Sequence, residues 1–129
     1  MMTGFDTGFF VRLLEDDAAA VRAWESAVEN GDGMVSCLTL FELRRLGHRG
    51  VIDSNSVDVV IAGLPSVCKI VWLDSEEILS RAARISHGTG IPAMDSLILA
   101  GFEHCHADLV YSTDRHWERY NSEMTIIIF

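Results

Sequence analysis

A three-layer α/β/α sandwich with a mainly parallel central sheet is the fold this sequence predicts, and three observations predict it. Short apolar or β-branched runs alternate along the chain with longer segments of helical spacing. Strands separated by helices pair in parallel through crossovers, which sets helices on both faces of the sheet. The turn signals, such as "NGDG" and "SHGTGIP", are short, and no repeat or low-complexity linker divides the chain. A length of 129 residues with 49% hydrophobic and 22% charged side chains then suits one domain over residues 1–129 with an ordinary core.

The elements follow in order. A brief strand ending near Phe5 feeds the helical "TGFFVRLLED". "DAAAVRAWESAVENG" has the alanines and apolar spacing of a second helix, stopped by Asn30 and Gly31, residues that accept a left-handed helix end. "GMVSCL" reads as a buried strand and "TLFELRRLGHRG" as the helix after it. "SVDVVIAGL" is a further helix and "CKIVWLD" a β-branched strand. "SEEILSRAARISHG" and "AMDSLILAGFEHCHA" carry core-facing helical spacing, "DLVYS" is a strand, "RHWERY" a short helical turn, and "MTIIIF" the last strand. The sheet is expected to bury "VSCL", "IVWL", "LVYS" and "TIIIF".

Composition excludes several classes. No run approaches the roughly 18 apolar residues of a membrane span, and "MMTGFDTGFF" lacks the basic flank and cleavage site of a secretion signal. A cytoplasmic protein with no membrane association is therefore expected. Cys37, Cys68 and Cys105 are odd in number, far apart and set in apolar segments, so they read as core thiols, not a disulfide frame or a zinc knot. A net charge of −9 and a pI near 4.8 argue against loose adhesion to nucleic acid, which requires a basic surface. They leave room for a nuclease whose excess acids are gathered where a cation neutralises them.

In an open parallel sheet, ligands collect beyond the carboxyl ends of the strands; three acids follow strands at that edge, and a fourth, Asp95, can reach it from a helix N-terminus. Asp6 follows the first strand, Glu42 lies early in the helix after "MVSCL", Asp95 sits early in the helix after "GIP", and Asp114 follows "LVYS". Each has a simpler reading. Asp6 and Asp114 suit helix caps, Thr39 and Glu42 match the capping box T-x-x-E, and Asp95, three residues after Pro92, complements a helix dipole. Capping alone gives no reason for four acids to converge, because two carboxylates about 4 Å apart repel by roughly 4 kcal/mol at an effective dielectric near 20. Hard carboxylate oxygens select Mg2+ or Mn2+.

"FDTGFFVRLL", "TLFEL", "GIPAMDSLILA" and "LVYSTDRHW", in this order and spacing, resemble the PIN domain family, particularly the small VapC-like toxin ribonucleases of toxin–antitoxin pairs. The resemblance spans nearly the whole chain. It implies a metal-dependent endoribonuclease with Asp6, Glu42, Asp95 and Asp114 as catalytic residues and ligands of Mg2+ or Mn2+. It further implies hydroxyl support from Thr7 and Ser112, an RNA substrate, a cognate antitoxin and a homodimer. Many relatives carry another acid or amide shortly after the position of Asp114, where this chain has Arg115 and His116. Arg12, Arg44, Arg45, Arg115 and Arg119 lie within or beside the acid-bearing segments and are the candidates for RNA phosphates. Trp117 reads as a packing residue beside Tyr120.

Three other accounts compete. A phosphoacceptor receiver needs a lysine from a late strand, and Lys69 stands at the wrong strand end. A dehalogenase-type phosphatase needs D-x-D, and "DTGFF" lacks the second acid. A catalytically silent PIN-like binding module fits every segment above and is the alternative that metal titration separates.

Overall fold

In the computed structural model, which describes residues 1–129, five parallel strands form one sheet. In chain order the elements are β1 (Thr3–Phe5), α1 (Thr7–Leu14), α2 (Ala18–Asn30), β2 (Gly33–Ser36), α3 (Cys37–His48), α4 (Ser54–Val67) and β3 (Lys69–Val71). They continue with α5 (Glu76–Thr89), α6 (Ala93–His104), β4 (Leu109–Ser112), a 3-10 turn (Arg115–Arg119) and β5 (Thr125–Ile128). The sheet order is β3-β2-β1-β4-β5, so the α/β/α sandwich with a parallel sheet expected from the sequence is the fold observed.

Strand alternation divides the core into two layers. Phe5 pairs with Val35 and Tyr111, and these side chains meet Phe9, Phe10, Leu43, Val57 and Leu64 on the face covered by α1 to α4. Gly4 pairs with Met34 and Val110, which face α5 and α6 through Ile78, Ile98, Leu99 and Phe102. Gly4 has a steric reason. A Cβ there would stand 2.9 Å from the Phe102 ring, so glycine lets α6 press directly onto the central strand. On the other face Phe5 and Phe9 pack with ring centroids 4.5 Å apart, and Trp24 meets Phe5 edge-on at 5.3 Å. Such pairs contribute about 0.5–1.5 kcal/mol beyond their buried area, and they fix α1 where it leaves the sheet.

Two boundaries differ from the sequence reading, and one strand expected to be buried is not, because it lies at the sheet edge. β2 stops at Ser36, and Cys37 and Leu38 are already helical. β3 is only three residues long, and Trp72 beyond it is 60% exposed. β5 is a half-exposed edge strand. The three cysteines are free, as expected, but each is only partly buried. No helix is long and apolar enough to cross a membrane.

Candidate active site

The chain leaves β1 toward β2 and β3 on one side and returns through β4 and β5 on the other. The carboxyl ends of β1 and β4 therefore form the switch point, where diverging connections open a crevice for a ligand.

Asp6 stands in that crevice, 5% exposed. It is the N-cap of α1, its Oδ1 accepting from the Phe9 amide at 2.7 Å. Oδ2 accepts from Ser112 Oγ at 2.6 Å and from the Thr113 amide at 3.1 Å. An ionised carboxylate has about four acceptor positions, so capping and bridging leave one toward the cleft. Burial raises the pKa of Asp6; the bonds from Ser112, Phe9 and Thr113 oppose that rise, and nearby Glu42 adds to it.

Glu42 projects from α3. Ser36 caps this helix by accepting from the Leu38 amide at 3.1 Å, which puts Thr39 inside the helix, so the T-x-x-E capping box does not form. Fully buried Thr39 instead lies 3.0 Å from Thr7 Oγ1, which stands 2.5 Å from Glu42 Oε1. A hydroxyl has one proton; Thr7 gives its proton to the charged Glu42 and accepts from Thr39. Oε2 of Glu42 has no partner among the side-chain hydrogen bonds.

Asp95 lies in the first turn of α6, which Pro92 opens without a side-chain cap. Its carboxyl is pushed up to about 6, first by burial and then by the charges of Asp114, Glu42 and Asp6. Trp117, 1% exposed, draws it partly back, and the indole Nε1–H has no hydrogen-bond partner. The indole thus acts on Asp95 without reaching bonding geometry. Asp114 caps the 3-10 turn by accepting from the His116 amide at 2.9 Å, with His116 Nδ1 3.2 Å from the same oxygen. The Asp114 amide donates to Ser112 Oγ at 3.0 Å.

All four acids line one cleft of about 170 Å3, together with Thr7, Gly8, Thr113, Ile98 and Trp117. No lysine or arginine lines it. Larger hollows exist, including one of about 790 Å3 beside His104, His106 and Tyr120, but none of these four acids lines it. Three participants gain roles that sequence spacing does not assign. Thr39 suits a cap by spacing, Trp117 suits packing alone, and Gly8 matches no motif of its own, although a Cβ at Gly8 would fall 1.8 Å from Thr113 Oγ1. A glycine inside the first turn of an apolar helix was the available signal.

The donor chemistry of the cleft fits a hard divalent cation: oxygen only, negative, and with free lone pairs on Asp6, Glu42, Asp95 and Asp114. The side chains are not closed into a coordination sphere, since no three acids, histidines or cysteines stand together as a metal-holding group.

The candidate arginines are dispersed. Arg12 pairs with Asp17, Arg44 with Asp58 and Arg115 with Glu118. Arg45 is exposed and in no ion pair, and Arg119 lines a separate cleft.

The PIN domain family profile matches residues 5–123, and the chain belongs to the PIN domain family. Its fold recurs in VapBC2 from Rickettsia felis bound to a DNA fragment from their promoter, with TM-score 0.78 and 15% identity over 99% of this chain and 98% of that one. A toxin–antitoxin complex from Klebsiella pneumoniae matches with TM-score 0.67 and 16% identity, covering 87% and 86% of the two chains. FitAcB from Neisseria gonorrhoeae matches with TM-score 0.66 and 20% identity over 97% and 96%. No curated protein matches significantly.

Proposed function

We propose that this protein is a metal-dependent endoribonuclease that hydrolyses RNA phosphodiester bonds with Mg2+ or Mn2+, and that it is the toxin of a toxin–antitoxin pair. PIN domains are generally nucleases that use divalent ions. One observation carries the reading: four carboxylates from four separate segments line a single cleft that contains no neutralising lysine or arginine. A cation bound there supplies charge that offsets the acids and polarises water and phosphate oxygen.

The chain's own residues have separable parts in this account. Asp6 is immobilised by three donors, so its remaining lone pair keeps one direction. Thr7 orients Glu42 through Oε1 and leaves Oε2 available. Asp95, pushed up to about 6, holds a proton more readily than an ordinary aspartate. Ile98 and Trp117 wall the cleft and limit the water that competes for these oxygens.

An antitoxin partner is supported by the toxin–antitoxin complexes among the structural neighbours. Phe41, Val59 and Trp72 are more than half exposed, which supplies apolar surface for an antitoxin or for the second copy in a homodimer. A cytoplasmic setting accords with an RNA substrate. The silent binding module is favoured by one observation, the absence of a closed metal-holding group.

The test is cleavage of a single-stranded RNA by wild type and Asp6→Asn in Mg2+, in Mn2+ and in EDTA. Cleavage is expected only from wild type and only with metal. Intact RNA in every lane, with no metal-induced change in melting, selects the binding module.

A further inference from the structure

We propose that the cleft between α5 and the 3-10 turn is a phosphate subsite for single-stranded RNA, placed to hold a phosphate flanking the one over the four acids. The subsite presupposes the ribonuclease reading and adds the residues that seat the strand. The cleft, of about 560 Å3, is lined by Arg81, Arg84, Arg119, Glu103 and Asn121 among others. Three guanidinium groups face one carboxylate there, leaving two positive charges in a chain of net charge −9. Charges farther away than a Debye length, about 8 Å at physiological salt, are largely screened, so the local sign decides what the cleft attracts.

The two surplus charges can be named. Arg81 is occupied by Glu103, with Glu77 at 3.6 Å. Arg84 has only a neutral partner, donating to Ser80 Oγ at 3.0 Å, and Arg119 enters no ion pair. Both are exposed. Two free guanidinium groups at one opening match phosphate oxygens in charge and in fork geometry.

Position then favours a nucleic acid strand over an acidic peptide. Arg119 ends the turn that Asp114 caps and whose Trp117 walls the acid cleft. Its Nη1 would stand 3.8 Å from a Cβ on Gly90, in the connection that leads to Asp95. The segments that carry two of the acids therefore also border the basic cleft. From Asp114 to Arg119 the turn spans about 10 Å at roughly 2.0 Å per residue, a step that a strand lying over the acids can cover.

The experiment measures binding of a fluorescein-labelled single-stranded RNA by anisotropy at several salt concentrations, in Mg2+ and in the Asp95→Asn background so that the strand stays intact. Arg84→Gln and Arg119→Gln are each expected to raise Kd by roughly three- to fivefold. The slope of log Kd against log salt should fall by about 0.7 for each phosphate that is no longer neutralised. Arg22→Gln, at an exposed position of α2, is the control and should change neither. A double Arg84→Gln, Arg119→Gln variant with unchanged Kd and slope overturns the subsite while leaving the ribonuclease reading standing. A background protein and a wild type that both fail to bind RNA overturn the two together. If the double variant keeps RNA but loses poly-L-glutamate, the cleft serves an acidic protein partner and the proposal falls.

Discussion

Ser112 and Asp6, 106 positions apart, are joined by a 2.6 Å hydrogen bond from the buried hydroxyl to Oδ2. The same hydroxyl accepts from the Asp114 amide at 3.0 Å. One serine at the end of β4 thereby fixes the acid after β1 and the backbone of the acid after β4. Ser112→Ala leaves a buried carboxylate short of a donor and an amide short of an acceptor, which should cost about 1–3 kcal/mol. Urea unfolding measures this as a lower midpoint at unchanged slope; an unmoved midpoint contradicts the bridging role.

Gly8 is required by its close approach to Thr113. Alanine there places Cβ 1.8 Å from Thr113 Oγ1 and 3.1 Å from Thr113 Cβ, and overpacking of this kind costs typically about 1–3 kcal/mol. Adding Thr113→Ala removes the nearest atom, so the double variant should be more stable than Gly8→Ala alone. A thermal-melt double-mutant cycle reads the coupling, and strict additivity would show that the crowding is relieved elsewhere.

The raised carboxyl of Asp95 gives metal-free stability a definite pH slope. A group whose folded pKa lies above its unfolded value binds more protons when folded, so stability is greatest below the unfolded value and is lost as pH rises through the folded one. For Asp95 that window runs from the ordinary 3.8 to about 6. At about 1.4 kcal/mol per unit, discounted because the side chain is only partly buried, the loss is on the order of 2 kcal/mol. In EDTA, wild type minus Asp95→Asn should show this fall between pH 4 and 6. A flat difference contradicts the mutual charging of the cleft.

The fold was legible because alternating periodicities leave few arrangements, and β1, β4 and α6 stand where their apolar spacing put them. The start of α3 was not. "GMVSCL" is continuously apolar except for Ser36, so strand and helix share one run, and only tertiary packing shows that Ser36 caps while Thr39 faces Thr7. Of the four acids, sequence put three after strands and Asp95 at a helix N-terminus within reach of the same edge, and the structure gathers all four around one cleft. The capping readings of Asp6 and Asp114 hold, and a cap does not use up a carboxylate: Asp114 caps through Oδ1 alone, and Asp6 keeps one lone pair on its capping Oδ1 after Oδ2 has accepted from Ser112 and Thr113. The arginines stayed obscure because long side chains are placed by partners: Arg12 and Arg44 found Asp17 and Asp58, which sequence spacing did not single out, and only Arg115 took a partner, Glu118, at the i,i+3 spacing of one turn.

The most direct test of the account is the melting temperature of wild type and Asp95→Asn, each with and without Mn2+. Without metal the amide relieves repulsion from Asp114, Glu42 and Asp6, so the variant should melt at or above wild type. A cation that binds only the folded state at a hundredfold excess over its Kd stabilises by about 2.7 kcal/mol, on the order of 10 °C for a domain of this size. Wild type should gain that increment and Asp95→Asn much less. Identical responses of the two proteins to Mn2+, or none in either, would contradict the assignment of these four carboxylates to a metal site.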